Sequence, residues 1–237
     1  MGWMEIANTR DRQLETLRIY GGLVEERDDW GGGLVLCCGE GCAASCVPVA
    51  VSIAGGATLM LDGDAGAVKA AMRRGEVDFV VNTLDEALRA LKNEVRMRRS
   101  LSVGLTTEVS AALREMVERG VQPDLLLIGA QQDSDEILRD ESIVKLRVVG
   151  MGLRRMESAD GERCGTSYSK ESYEEVFLSA ADAAELRTLD AQVLAILARD
   201  DLVRRRWVQR AGNYVREARS GGRWMWLTEE ERKQICG

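Results

Sequence analysis

Between Leu34 and Ile128 the chain repeats one pattern: a short apolar run, a few small or acidic residues, then apolar positions every three or four residues. The runs Leu34–Cys38, Ala57–Leu61, Asp78–Val81, Ser102–Leu105 and Leu125–Ile128 predict strands. The intervening stretches predict helices. One spans Ala65–Arg74, and a second spans Leu84–Met97 with Leu84, Ala87, Leu88 and Leu91 on one face. A third spans Val109–Arg119, carries Leu113, Met116 and Val117, and is closed by Gly120 as C-cap. Pro48 is tolerated only in a first helical turn, so the helix after the first strand starts nearer Cys46 than Cys42. Short apolar strands alternating with helices imply a parallel sheet covered on both faces, a doubly wound α/β fold. Such sheets bind ligands at the carboxyl ends of their strands, where Gly39, Asp62, Asn82, Thr106 and Ala130 fall.

Beyond Asp133 the pattern weakens. Ser158–Ser169 is polar and reads as a surface loop, and Ser179–Ala198 is a helix carrying Ala183, Leu186, Leu189, Val193 and Ile196 on one face. The last segment reads as helical, interrupted at Gly221-Gly222, with Met225-Trp226-Leu227 as the apolar lead of a short helix capped at Thr228. Trp207, Ala211, Tyr214, Val215 and Ala218 form an apolar face. They predict docking on the domain, on a second copy of the chain or on a partner protein. Arginines at 204–206, 210, 216, 219 and 223 then occupy a solvated face, a reading that argues against a nucleic-acid surface. The expected organisation is a helical lead over 1–30, a sheet domain over 31–200 and a helical C-terminal extension over 201–237.

Composition narrows the classes. The 237 residues are 45% hydrophobic and 30% charged, an ordinary globular balance, and the net charge of −7 gives no general attraction to nucleic acid or anionic membrane. No apolar run approaches the roughly 20 residues of a membrane span, and the first residues do not read as a secretory leader, so a cytoplasmic location is expected. Cys37, Cys38, Cys42 and Cys46 crowd around one turn, while Cys164 and Cys236 lie apart. Their spacing matches no zinc-ribbon or ferredoxin pattern. The expectation is buried packing, with Cys42 as the candidate reactive thiol if it stands at a helix start. The chain contains no histidine, which excludes an imidazole base, a Ser-His-Asp or Cys-His nucleophile and a histidine metal ligand. No catalytic residue and no metal site are assigned.

The first strand leads into Gly39-Glu-Gly-Cys-Ala-Ala-Ser45, and the second ends in Asp62. This is the layout of a Rossmann-like βαβ unit that binds dinucleotides. The first glycine makes the sharp turn, the second admits a pyrophosphate, Ala44 stands at the third small position, and the acid accepts from a ribose hydroxyl. The candidate cofactor contacts are therefore Gly39, Glu40, Gly41 and Cys42 at the pyrophosphate and Asp62 at the ribose. A bare strand–helix turn is the alternative for the glycines. For Asp62 the alternative is N-capping, for which Asp64 is better placed.

Several segments in one register extend the match. Trp30-Gly-Gly-Gly-Leu-Val-Leu36, Gly39-Glu-Gly41 with Pro48-Val-Ala50, and Gly55-Gly-Ala-Thr-Leu-Met-Leu-Asp-Gly-Asp64 are followed by Thr83-Leu-Asp-Glu-Ala-Leu88, Leu101-Ser-Val-Gly-Leu105 and Arg119-Gly-Val-Gln-Pro-Asp124. Together, residues from about Trp30 to Ala198 resemble the central nucleotide-binding domain of urocanase (urocanate hydratase). The resemblance implies tightly bound NAD, which in that family acts as the electrophile toward the substrate imidazole. It also marks departures. Cys42 and Ser45 replace loop glycines, Asp62 replaces a glutamate, Thr107-Glu108 replaces Gly-Asn, and Gly129-Ala-Gln-Gln-Asp133 replaces a Gln-Thr-Ser-Ala-His segment. Glu108 is thereby expected to add negative charge near a phosphate site and, unless that charge is offset, to repel a dinucleotide. The urocanate-binding core of the family finds no match in this sequence. The expected function is a stand-alone NAD-binding domain that is not catalytic alone. The alternatives are one subunit of a split urocanate hydratase-like lyase, or a degenerate domain kept for protein association.

Overall fold

A computed structural model of the chain describes residues 3–39, 46–128, 152–155, 172–214 and 221–236. Contacts divide it into two units, Met1–Asp28 with Gly165–Gly237, and Asp29–Cys164. This differs from the three consecutive segments read from the sequence. The first helix, α1 (Trp3–Glu26), and the C-terminal elements fold together, and the predicted helix at 183–196 belongs with them.

The central unit runs β1 (Leu34–Cys38), α2 (Val47–Ala54), β2 (Ala57–Asp62), α3 (Ala65–Arg74), β3 (Phe79–Val81), α4 (Leu84–Arg96), β4 (Leu101–Thr106), α5 (Val109–Glu118), β5 (Leu125–Ile128) and β6 (Gly152–Arg155). Its strands pair in the order β3-β4-β2-β1-β5-β6, all parallel. The doubly wound expectation holds, and the order reverses at β1 and β5, the position where such sheets open a crevice. Gly120, at φ +67, donates to Val117 and ends α5 as its sequence position predicts.

Strand alternation sorts the core into two layers. Leu34, Leu36 and Cys38 with Leu59, Leu61, Val103 and Ile128 pack against Leu84 and Leu91 of α4 and Leu113 and Met116 of α5. The other face of the sheet meets α2 and α3. Every residue of α2 is buried, which explains why Val47–Ala54 is apolar all round rather than striped. Thr58 sits in β2 among these residues at 0% exposure, and its hydroxyl has no hydrogen-bond partner.

The other unit pairs β7 (Glu174–Ser179) antiparallel with β8 (Gly222–Leu227), and adds α6 (Ala183–Ile196), α7 (Leu202–Tyr214) and α8 (Glu229–Cys236) to α1. Here the sequence reading is corrected. Trp224–Leu227 is a strand, not the lead of a helix, because side chains complete its outer edge. Gln13 accepts from the Trp224 N–H and donates to the Gly222 carbonyl, Trp207 Nε1 donates to the Trp224 carbonyl at 2.9 Å, and Arg204 Nη1 donates to the Trp226 carbonyl at 3.1 Å. Gly222 is not a helix breaker but a close crossing. Its φ is +134, and a Cβ there would collide with the Leu178 carbonyl.

The solvated arginine face is corrected as well. Arg204 and Arg223 are 4% and 2% exposed. Arg223 makes two bonds of 2.8 Å to Asp190. Arg204 bonds Asp201 at 2.5 Å and both oxygens of Glu231 at 2.6 and 2.9 Å, and lies 4.3 Å from the centroid of the Tyr173 ring. Arg205 donates to the last carbonyls of α6, at Leu194 and Leu197. The apolar face of α7 is taken up inside the unit: Trp207 and Ala211 are fully buried, and Trp207 stands 5.5 Å from Tyr20, whose hydroxyl donates to the Val203 carbonyl. Val215, Ala218 and the Ser158–Ser169 segment lie outside the described residues. Among the described residues no helix is long and apolar enough to cross a membrane.

Two stability outcomes follow. Thr58→Val keeps the shape and removes an unsatisfied hydroxyl, so denaturant titration should show a gain of about 1 kcal/mol. Burial pushes the Glu231 carboxyl up, but the Arg204 fork and the Thr228 N–H outweigh it and hold the group below its usual value. A lowered folded pKa stabilises above the unfolded value of about 4.3 and loses that contribution as pH falls below it. Glu231→Gln should therefore lower the melting temperature at pH 7 and shrink the difference from the parent chain as the pH is taken toward 3.

Candidate functional site

Four helices of the central unit begin at the carboxyl edge of its sheet, and their first turns differ in one respect. Asp64 caps α3 by accepting from the Gly66 N–H at 2.7 Å. Thr83 caps α4 at 3.2 Å, while Glu86 reaches back to the Asn82 N–H at 3.0 Å. Glu108 caps α5 with both oxygens, accepting from Ser110 at 2.8 Å and Ala111 at 2.6 Å. At the start of α2 the N-cap residue is Cys46, whose side chain makes no capping hydrogen bond, and Pro48 stands in the first turn. Among the described residues, α2 differs from the other three helices in that its N-cap side chain makes no capping hydrogen bond.

Gly39 follows β1 with φ +94, a conformation that needs glycine, and its N–H donates to the Leu61 carbonyl at 3.1 Å. The sharp turn assigned to the first glycine is thus present, and it ties the end of β1 to the end of β2. Glu40, Gly41 and Cys42 lie outside the described residues, as do Ala44 and Ala130. The helix begins at Val47, so position 42 is not its start, and the thiol argument based on a helix N-terminus moves away from Cys42.

Asp62 is 4% exposed at the end of β2, opposite Thr106 of β4. Its Oδ1 accepts from the Asp64 N–H at 2.9 Å, shaping the turn into α3, and capping itself belongs to Asp64. Gly63 stands between the two acids. Among the described residues other than its two chain neighbours, a Cβ built there would come nearest the Thr107 carbonyl oxygen, at 3.9 Å. The Thr107 N–H donates to the Asp62 carbonyl at 3.0 Å and the Thr107 hydroxyl to the Glu108 carbonyl at 3.4 Å. Gly63, a glycine between two acids at a strand end, was not among the contacts expected from the sequence. Glu108 is engaged by its own helix. The carboxylate is held by the first turn of α5, with Arg114 at 3.9 Å, so its charge is offset within its own helix.

Cys37, Cys38 and Cys46 are buried and in no disulfide. Burial pushes the Cys38 thiol well above its ordinary range, with Cys37 adding to the effect, and its sulfur lies 3.7 Å from the Leu127 carbonyl. Cys37 and Cys38 are adjacent in a strand and point to opposite faces of the sheet. No group of three or more potential metal ligands occurs among the described residues.

These features coincide with what known proteins show. The chain is similar to a solved plantazolicin methyltransferase, BpumL in complex with SAH, at 11% identity and a TM-score of 0.30, over 96% of this chain and 62% of that one. A likeness so distant decides neither fold nor function. A family profile described as "Urocanase Rossmann-like domain" matches residues 14–132, half of the chain and all of the strand-end features from Gly39 to Glu108. The glycine turn, the acid ending β2 and this match together make the chain a member of the urocanase Rossmann-like domain family.

Proposed function

We propose that the chain is a nucleotide-binding module of urocanase type that holds NAD across the carboxyl edge of its sheet and does not hydrate urocanate by itself. The observation that carries this is the edge itself in a chain of this family: a glycine at φ +94 after β1, the start of α2 close behind it in sequence, and a buried acid ending the next strand. The residues fit the cofactor's parts. The first turn of α2 suits a phosphate, Asp62 suits a ribose hydroxyl, and Glu108, turned onto its own helix, does not oppose them. When bound, NAD supplies an electrophilic nicotinamide ring. What this chain's residues do is bind and orient the nucleotide, and the chemistry assigned to it stops there.

Denaturing freshly purified protein and analysing the released small molecules by mass spectrometry should recover NAD in near-stoichiometric amount. No nucleotide, together with no thermal shift on adding NAD, overturns the proposal. Gly63→Leu adds a side chain next to Asp62, with the Thr107 carbonyl oxygen, 3.9 Å away, nearest its Cβ among the described residues other than its chain neighbours. It should weaken NAD binding at least about tenfold while the melting temperature of the unliganded protein stays unchanged.

A further inference from the structure

Among the described residues β3, β6, β7 and β8 end their sheets, and three of these four edges are charged or covered. β6 carries Arg154 and Arg155, β7 carries Glu174 and Glu175, and the outer groups of β8 are met by Gln13, Arg204 and Trp207. β3 is the exception. It reads Phe79-Val80-Val81, with neither charge nor proline, and among the described residues β4 is its only strand partner.

The direction of its backbone groups is set by β4. The Asp78 N–H donates to the Ser102 carbonyl at 2.9 Å, so strand alternation turns Val80 toward β4 and leaves the N–H and C=O of Phe79 and Val81 pointing outward. The side chains of Phe79 and Val81 join the core under α4, Val80 lies on the Gly104 side, and all three are half-buried. An antiparallel copy of the same strand fits this edge. Phe79 of one copy and Val81 of the other exchange both backbone bonds, twice over, with the two-fold at Val80. That register sets Asp78 opposite Asn82, so no like charges face each other across the pair.

The flanking helices favour a second copy over another partner. α3 is capped by Asp64 and ends in Arg73 and Arg74, while α4 starts with Asp85 and Glu86 and ends in Arg96. Both run from the carboxyl edge of the sheet to its amino edge, so each has an acidic start and a basic end. Antiparallel pairing about Val80 brings the acidic starts of one copy level with the basic ends of the other, on both faces of the sheet. We propose that a second copy of the chain docks antiparallel on β3 and joins the two six-stranded sheets into one of twelve strands. Gly39 and Asp62 take no part in this interface, so it stands or falls apart from the nucleotide reading.

The test is sedimentation equilibrium of the whole chain, which should give twice the chain mass. Val81→Pro removes an outward N–H and leaves the bonds between β3 and β4 in place, since proline is tolerated on an edge strand. It should raise the dimer dissociation constant at least about tenfold, with the fold retained by circular dichroism. A monomeric parent chain, or a folded Val81→Pro chain whose dimer is weakened less than that, overturns the proposal. Hydrogen exchange of the parent chain decides the case in which the variant does not fold. The Phe79 and Val81 amides should be better protected at high than at low protein concentration, and protection that does not change with concentration overturns the assignment.

Discussion

The central constraint on this protein is the complete burial of β1. Leu34 is 8% exposed and the other four residues of the strand are at 0%, with parallel partners on both sides. A strand so enclosed can satisfy its backbone only through neighbours, and any residue that failed to pair would leave an orphaned polar group in the core. β2 and β5 supply those bonds, and Asp124 extends them by accepting from the Leu34 N–H at 2.8 Å. The bonding continues to the Gly39 N–H, which donates to the Leu61 carbonyl, so the end of β1 is held by β2. The carboxyl edge of the sheet is thus an extension of its most buried strand.

That edge is differentiated by its helix starts. Helix dipoles of similar size meet different endings: Asp64, Thr83 and Glu108 close three helices, and α2 begins at a cysteine followed by valine and proline. Beside β2, β4 and the start of α4 the helix ends are closed by side chains of the chain itself. Of the departures from the family, Asp62 and Thr107-Glu108 fall at the ends of β2 and β4. Their effect depends on where the new side chains point, and a comparison of sequences does not contain that information.

The unit built from the two chain ends follows another rule. Its two-stranded sheet is too small to hide its own edge, and the outward backbone groups of β8 are met by Gln13, Arg204 and Trp207 from two helices. Arg204 and Arg223 are charges taken out of water, held by Glu231 with Asp201 and by Asp190. Such pairs cost much to break and contribute less to net stability, so they serve chiefly to make one arrangement of helices the acceptable one.

How much of this was legible in the sequence depended on how local the cause was. The strands and helices between Leu34 and Ile128 were readable, because apolar runs and a helical period are properties of the chain itself, and so were Gly39 as a turn, Asp64 as a cap and Gly120 as a helix end. Trp224–Leu227 was misread, since a short apolar run carries no period and becomes a strand only when β7 and the side chains of α1 and α7 complete its hydrogen bonds. The arginines of α7 and β8 look solvated until their carboxylate partners, far away in the chain, are brought beside them. Glu108 has the same lesson in small: composition gives its charge, and the first turn of α5 decides where that charge is spent. The sequence by itself determined the periodic sheet domain and its glycine turn. The tertiary structure decided which polar groups face the edge, because hydrogen-bond partners distant in sequence are set by packing and not by pattern.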